Sequence, residues 1–244
     1  MKTRLYLHNL DSTKLEYEKL AELGAAADGW IVRAGRQKSG MGRDGNSWHS
    51  PLGGLWLSFD LIHPASVASF PLYVGFCLWE LLSDIYALQD LKVKWPNDLF
   101  LDGKKLAGIL CSYQQNNSKY LIGIGINTNV ALDEQLRSHA AASLCQSLGM
   151  PVSNEFMARL IVNRVEKNSH LLHEPEHYLK QCAKVLYGLG KQAVAMMGQN
   201  TVSGVISGLS GEGFLLLRAD RGELQQISHG TLRLKPVTPH QAFS

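Results

Sequence analysis

Between Ala34 and Gly54 the chain reads AGRQKSGMGRDGNSWHSPLGG, which sets Arg43 and Trp48 inside a segment holding six of the protein's 23 glycines. Glycine costs backbone entropy in helices and strands, so this density predicts a loop whose backbone takes unusual dihedrals or comes close to a ligand. A loop of free N–H donors with a guanidinium and an indole suits a phosphate beside a flat ring. Gly40, Gly42 and Gly45 form a GxGxxG, but the strand predicted at IVRA ends well before them and no helical pattern follows, which argues against a dinucleotide-binding turn. The same segment also reads as a flexible surface loop.

Other chemistry-bearing residues are less ordered. His170, His173 and His177 have spacings that tempt a metal reading, yet Pro175 interrupts the face they would share. Cys77, Cys111, Cys145 and Cys182 form no CxxC pair, so neither a zinc site nor a disulfide framework is indicated, and their flanks share no repeat. Twenty-four basic and 21 acidic residues are dispersed along the chain for a net charge of +3, which gives no electrostatic case for nucleic acid. No stretch approaches the roughly 20 apolar residues of a membrane span. The start, MKTRLYLHNLDS, lacks the apolar core of a secretory signal, so a soluble, cytoplasmic protein with no membrane partner is expected.

The elements that must position these residues follow from periodicity. RLYLHN predicts a strand, and DSTKLEYEKLAELGAA a helix with Leu15, Lys19, Leu20 and Leu23 at helical spacing and Gly24 as its stop. Thr13 and Glu16 have capping-box spacing, which gives Ser12 and Thr13 a structural role. GLWLSFDL predicts the strand leaving the glycine loop, and FPLYVGFCLWELLSDIYAL a helix with Pro71 near its beginning. In LKVKWPNDLFLDGKKLAGILCSYQQ two β-type runs flank Asp102-Gly103, a hairpin signal. Leu121 to Ile126 reads as a central strand, with Asn127 and Asn129 as turn formers at its end. Helical periodicity runs from Asp133 to about Tyr187, interrupted at Glu174-Pro175. Five short β-type runs then predict a small barrel docked on the first domain, and TPHQAFS a frayed tail. The fold class expected is α+β: a mixed sheet with packed helices over residues 1–188, a barrel over 189–236 and a tail over 237–244.

Three separated segments, QKSGMGRDGNSW, KWPNDLFLDGKKLAGIL and GIGINTN, together resemble the biotin protein ligases, and with the DST helix start the resemblance covers most of the chain. It implies a catalytic sheet domain followed by an SH3-like barrel, and a two-step acyl transfer. Biotin and ATP would give biotinyl-5′-adenylate and pyrophosphate, and a lysine of a biotin carboxyl carrier protein, part of a biotin-dependent carboxylase, would then displace AMP. The resemblance carries Ser12, Thr13, Gln37, Gly40, Met41 and Lys105 to the biotin end, and Gly42, Arg43, Trp48, Asn97 and Asn127 to the nucleotide. Lys105 and Arg43 become the catalytic pair, Lys105 offsetting repulsion between carboxylate and α-phosphate. Asp98 becomes a Mg²⁺ ligand, in keeping with a cation that takes few carboxylates plus phosphate oxygens.

The chain departs from the family's GRGRxGRxW pattern at Met41 and Asn46, where arginines are usual, and Lys14 replaces the asparagine usual after DST. Lost guanidinium groups weaken charge-assisted contacts to an adenylate unless other donors replace them. Lipoate ligases are the enzymatic rival, and a non-catalytic biotin sensor is another. Only ten residues precede Asp11, which leaves no room for the helix-turn-helix domain of the repressor forms. AVAMMG is similar to the AMKM of biotin carriers but has no lysine between its methionines.

Overall fold

The computed structural model describes residues 2–24, 29–219 and 221–235. RLYLHN lies within β1 (Thr3–Leu10), which leads directly into α1 (Thr13–Glu22). β2 (Trp30–Gln37) runs parallel to β1, Leu10 standing opposite Gln37. This pairing carries the strand three residues past Ala34, the end expected from the sequence. Gly35 sits within the strand, where a Cβ would stand 2.6 Å from the His8 carbonyl oxygen, so it serves close packing rather than a loop.

β3 (Leu55–Ile62) leaves the glycine loop, and α2 (Phe70–Ile85) begins with Pro71 in its first turn, where its missing N–H costs nothing. The first β-type run beside Asp102-Gly103 is two strands, β4 (Leu91–Lys94) and β5 (Asp98–Leu101), because Pro96 cannot continue a ladder. β6 (Lys104–Gln114) follows a turn in which Asp102 and Gly103 both have positive φ, 50° and 73°, as a tight hairpin requires. β7 (Lys119–Ile126) completes a sheet of order β1-β2-β3-β7-β6-β5-β4 and is its middle strand.

Alternation along β3 divides the molecule. Leu55, Leu57, Phe59 and Leu61 join the main core with α2, α5 (Asn154–Lys167) and α6 (Pro175–Lys184), while Trp56 joins a smaller core with Tyr17 of α1 and Leu121. The short helices α3 (Glu134–Ser138) and α4 (Leu144–Leu148) precede α5. Asn129, expected as a turn former, clamps Val152 instead: its Nδ2 donates to the Val152 carbonyl at 2.8 Å and its Oδ1 accepts the Val152 N–H at 2.7 Å.

After α6 the chain pairs once with the sheet edge. The Val93 N–H donates to Val185 at 3.0 Å and the Tyr187 N–H returns to Val93 at 2.8 Å. Then come β8 (Gln192–Met197), β9 (Asn200–Leu209), β10 (Leu215–Arg218), β11 (Leu224–Ile227) and β12 (Thr231–Leu234). About five strands were expected, and five are present, paired antiparallel in a sheet of order β11-β10-β9-β8-β12. Among the described residues this sheet does not close into a barrel, since β11 and β12 lie at opposite edges. Trp95 Nε1 donates to the Gly213 carbonyl at 3.1 Å and ties the two sheets together. The tail expected from 237 lies outside the described residues. Among the described residues no helix is long and apolar enough to cross a membrane.

Candidate active site

The site lies on the α1 face of the main sheet, over a floor of three adjacent strands, two of which supply glycine. Trp56, Gly125 and Gly108 are lateral neighbours on β3, β7 and β6, and Ser58, Gly123 and Leu110 form the next row. The missing β-carbons leave space above the sheet, and the Trp48 indole lies in part of it. A Cβ on Gly108 would stand 2.8 Å from that ring, and one on Gly125 would stand 2.5 Å from its Nε1.

One end of this space is bounded by a chain of polar side chains. Ser58 Oγ donates to Thr13 Oγ1 at 2.8 Å, and Thr13 gives both its backbone N–H (2.8 Å) and its hydroxyl (3.1 Å) to Gln37 Oε1. Gln37 Nε2 donates to Ser50 Oγ at 2.8 Å, whose hydroxyl donates to the Trp48 carbonyl at 3.0 Å. The capping box is therefore not formed. Ser12 is the N-cap and makes no side-chain cap bond, and the free N–H at Thr13 is satisfied by Gln37 from the end of β2.

The glycine loop folds back on itself as a small hairpin. Met41 bridges Ser47, the Gly42 N–H donates to Asn46 at 2.7 Å, and the Trp48 N–H donates to Gly40 at 2.8 Å. Gly40 has no room for a side chain, because a Cβ would meet Ser50 Oγ at 2.6 Å. At the tip Asp44 takes φ 55°, and Asn46 Nδ2 donates to the Arg43 carbonyl at 2.8 Å, so the asparagine standing in place of an arginine closes the turn. Arg43 reaches beyond the loop: besides its ion pair with Asp44 at 3.5 Å, it donates to Asn97 Oδ1 at 3.1 Å and to the Gly230 carbonyl, just before β12, at 3.2 Å.

Asn97 is itself fixed, its Nδ2 donating to the Ile109 carbonyl at 2.6 Å while its own carbonyl accepts the Ile109 N–H at 2.9 Å. Lys105 Nζ lies 2.8 Å from Asp98 Oδ1 and 4.9 Å from the centroid of the Trp48 ring, a cation–π geometry. The ammonium approaches Asp98 off the hydrogen-bonding direction, which leaves that buried oxygen without a donor. The backbone of Lys105 is held by the segment after α3, its N–H donating to Ala140 at 2.9 Å and its carbonyl accepting from Ala142 at 2.8 Å.

Two cavities result. The larger, about 390 Å³, reaches from Ser12, Thr13 and Gln37 past Met41, Gly42 and Arg43 to Asn97, Asp98 and Lys105. The smaller, about 200 Å³, is lined by Asn127, His49, Leu136 and Ala141. Both volumes are of the scale of small-molecule sites. Ser47, Trp48, Lys105 and His139 line both cavities and form their junction. Asn127 is buried at 2% exposure with its Oδ1 unpaired, and Trp48 Nε1 is a buried donor without an acceptor. Buried polar atoms rarely stay unpaired, so a ligand bearing both a donor and an acceptor suits this part of the site.

Of the twelve residues singled out from the sequence, ten line the larger cavity; Gly40 lies beneath the loop, and Asn127 faces the smaller cavity. Sequence reasoning missed Lys94, Ser58, His139 and the Gly230–Leu232 segment, all on the wall of the larger cavity. Lys94 stands in register opposite Asp98 with its Nζ 4.6 Å from the Phe100 ring centroid. Burial pushes its ammonium below the usual lysine range; Asp98 opposes the shift, and Lys105 and Arg233 add to it. Its place at the head of KWPND was a usable signal; nothing local marks the other three. His173 packs against the ring of His63 and His177 against Phe76, on different neighbours, and among the described residues no three metal-ligating side chains converge.

Comparison with known proteins bears on this arrangement. Residues 6–129 match the biotin/lipoate A/B protein ligase family, and residues 188–231 match the biotin protein ligase C terminal domain. The bifunctional ligase/repressor BirA of Escherichia coli is 28% identical over 82% of this chain, which spans 65% of that protein's length. The biotin--[acetyl-CoA-carboxylase] ligase of Paracoccus denitrificans is 28% identical over 88% of this chain and 94% of its own. The structure of biotin protein ligase from Aquifex aeolicus in complex with biotin and ATP superposes with a TM-score of 0.83 at 28% identity, covering 96% of this chain and all of that one. With more than half of its length matched by the family's sequence pattern, the chain belongs to the biotin/lipoate A/B protein ligase family.

Proposed function

We propose that this protein activates biotin with ATP as biotinyl-5′-adenylate and transfers the biotinyl group to a lysine of a biotin carboxyl carrier protein. The observation that carries this reading is the meeting of two cavities at Lys105, one walled by hydrogen-bonding side chains and one by a buried asparagine and an indole. A molecule made by joining two dissimilar parts fits such a pair, with the bond between them at the junction.

Ser12, Thr13 and Gln37 would face the ureido ring, whose N–H and C=O groups need paired partners, and the Thr13–Gln37–Ser50 chain holds Thr13 and Gln37 in place. Gly40 and Met41 belong to this end, Gly40 by letting the loop seat tightly. Asn127 and Trp48 would take the purine, with Gly42, Arg43 and Asn97 along the phosphates. In the first step carboxylate and α-phosphate are both anionic, and the ammonium of Lys105 between them lowers the barrier. Asp98, whose buried Oδ1 makes no hydrogen bond and has the Lys105 ammonium beside it, would suit a Mg²⁺ ion; such an ion would supply charge neutralisation of the triphosphate. Arg43 would hold the loop shut over the mixed anhydride, keeping water out and the intermediate in. The division into residues 1–188 and 189–236 belongs to the same reading, supported by two sheets that share no strand.

The test is incubation with ATP, Mg²⁺, biotin and a biotin carboxyl carrier domain, read as mass gained on the carrier lysine. Gain of one biotinyl group is expected. Gain with lipoate and none with biotin would overturn the assignment, and biotin binding without turnover would leave a sensor.

A further inference from the structure

We propose that His139 is the proton acceptor for the second half-reaction, taking the ammonium proton of the carrier lysine and so freeing its amine to attack the adenylate. The inference rests on the ligase reading and deepens it at a residue outside the motifs that carry the resemblance.

If biotin occupies the larger cavity and the purine the smaller, the acyl phosphate linking them lies where the cavities meet. Ser47, Trp48, Lys105 and His139 alone line both, among the described residues. An indole and a hydroxyl are poor bases, and Lys105 is paired with Asp98 as a cation. His139 is the remaining side chain there, and imidazole is the side chain suited to gaining and losing a proton near neutral pH.

Its tautomer and position are both set. His139 Nδ1 lies 2.7 Å from the Gln135 carbonyl and 3.2 Å from Ser138 Oγ. The Ser138 hydroxyl already donates to that same carbonyl at 2.8 Å, so both neighbours accept and Nδ1 carries the hydrogen. In the neutral ring the lone pair is then on Nε2. The next residue, Ala140, is held at φ 49°, a left-handed conformation that is unfavourable for a non-glycine residue. Its carbonyl accepts the Lys105 N–H, and Ala142 returns a bond to the Lys105 carbonyl. The backbone that presents His139 is thus fastened to the backbone of the lysine at the reaction centre. The exposure of His139 is what an incoming macromolecular substrate requires.

The carrier lysine arrives as an ammonium and loses two protons before the amide is complete. Nε2 accepts the first and passes it to water. The amine lone pair forms the C–N bond to the biotinyl carbonyl carbon, the bond from that carbon to the phosphate oxygen breaks with its electrons leaving on AMP, and the second proton goes from nitrogen to water.

The experiment separates the half-reactions in His139→Ala and His139→Gln. ATP–pyrophosphate exchange with biotin reports adenylate formation and also that the variant is folded. Single-turnover transfer from preformed biotinyl-adenylate to a carrier domain reports the second step. Transfer is expected to fall about 100-fold, far more than exchange does, in line with the usual worth of a general base. Added imidazole should restore transfer in His139→Ala. Transfer equal to wild type, equal losses in both half-reactions, or no rescue by imidazole would overturn the role. If wild-type protein made no biotinyl-adenylate at all, the ligase reading itself would fall, and that result is distinguishable because it needs neither variant nor carrier.

Discussion

Arg43 and Asn97, 54 positions apart, are joined by a guanidinium-to-carbonyl hydrogen bond of 3.1 Å, and the same guanidinium reaches the Gly230 carbonyl at 3.2 Å. One side chain therefore ties the glycine loop to the turn before β5 and to the entry of β12. Replacing it with glycine removes both ties while leaving the loop's own hairpin bonds intact. Arg43→Gly is expected to form biotinyl-adenylate and to release it, so that bystander lysines become biotinylated; the measurement is biotin found on an unrelated protein in the same tube. Tight retention of the adenylate by the variant would remove Arg43 from this role.

Lys105→Met keeps much of the aliphatic stem against Trp48 and removes the charge. The backbone hydrogen bonds of Lys105 to Ala140 and Ala142 do not depend on its side chain, so the fold should persist. Loss of a charge positioned for the transition state commonly costs about 100-fold to 1,000-fold. ATP–pyrophosphate exchange should fall by that order, and an unchanged rate would exclude the lysine from adenylate formation.

Gly125→Ala probes the floor. A methyl group there would stand 2.5 Å from Trp48 Nε1, too close for either to stay in place. Overpacking of this kind costs about 1–3 kcal/mol, and the movable partner is the indole. KM for ATP is expected to rise with that for biotin little changed, accompanied by a shift in tryptophan emission. An unaltered nucleotide KM would place the purine elsewhere.

Burial raises the thiol of Cys77 from 9.0 to about 12, and it raises the phenol of Tyr178 from 10.0 to about 12. Below pH 9 both groups are protonated whether the chain is folded or not, and their burial contributes fully. As pH rises past 9.0 the unfolded chain loses these protons first, so stability declines progressively toward pH 12. The midpoint of urea unfolding should be flat from neutral pH to about 9 and then fall. Thiol reagents at pH 8 should leave Cys77 and Cys182 unmodified in the native protein, since both are buried.

The sequence exposed what is local. Asp102-Gly103 declares its own turn, the Leu121–Ile126 run is apolar on both alternations because β7 is the middle strand, and the five β-type runs of the C-terminal sheet are each bounded by turn residues. What it concealed depends on distant partners. Thr13 looks like half of a capping box until Gln37, 24 residues on, supplies the acceptor. β2 outlasts its apolar pattern because β1 is there to pair with it. Closure of a barrel is a matter of how edges meet, which no single strand encodes. His139 has no motif around it, and its proximity to the site comes from a backbone bridge between Lys105 and Ala141.

The single bridge that Leu186 makes to Val93 also bears on the outer rim of β4. Through Val185 and Tyr187 it takes up both the N–H and the carbonyl of Val93, backbone groups that an unpaired edge strand offers to another chain. The C-terminal sheet thus follows directly on residues that occupy part of one edge of the main sheet. A chain ended at Lys184 would leave those two groups of Val93 open to another strand.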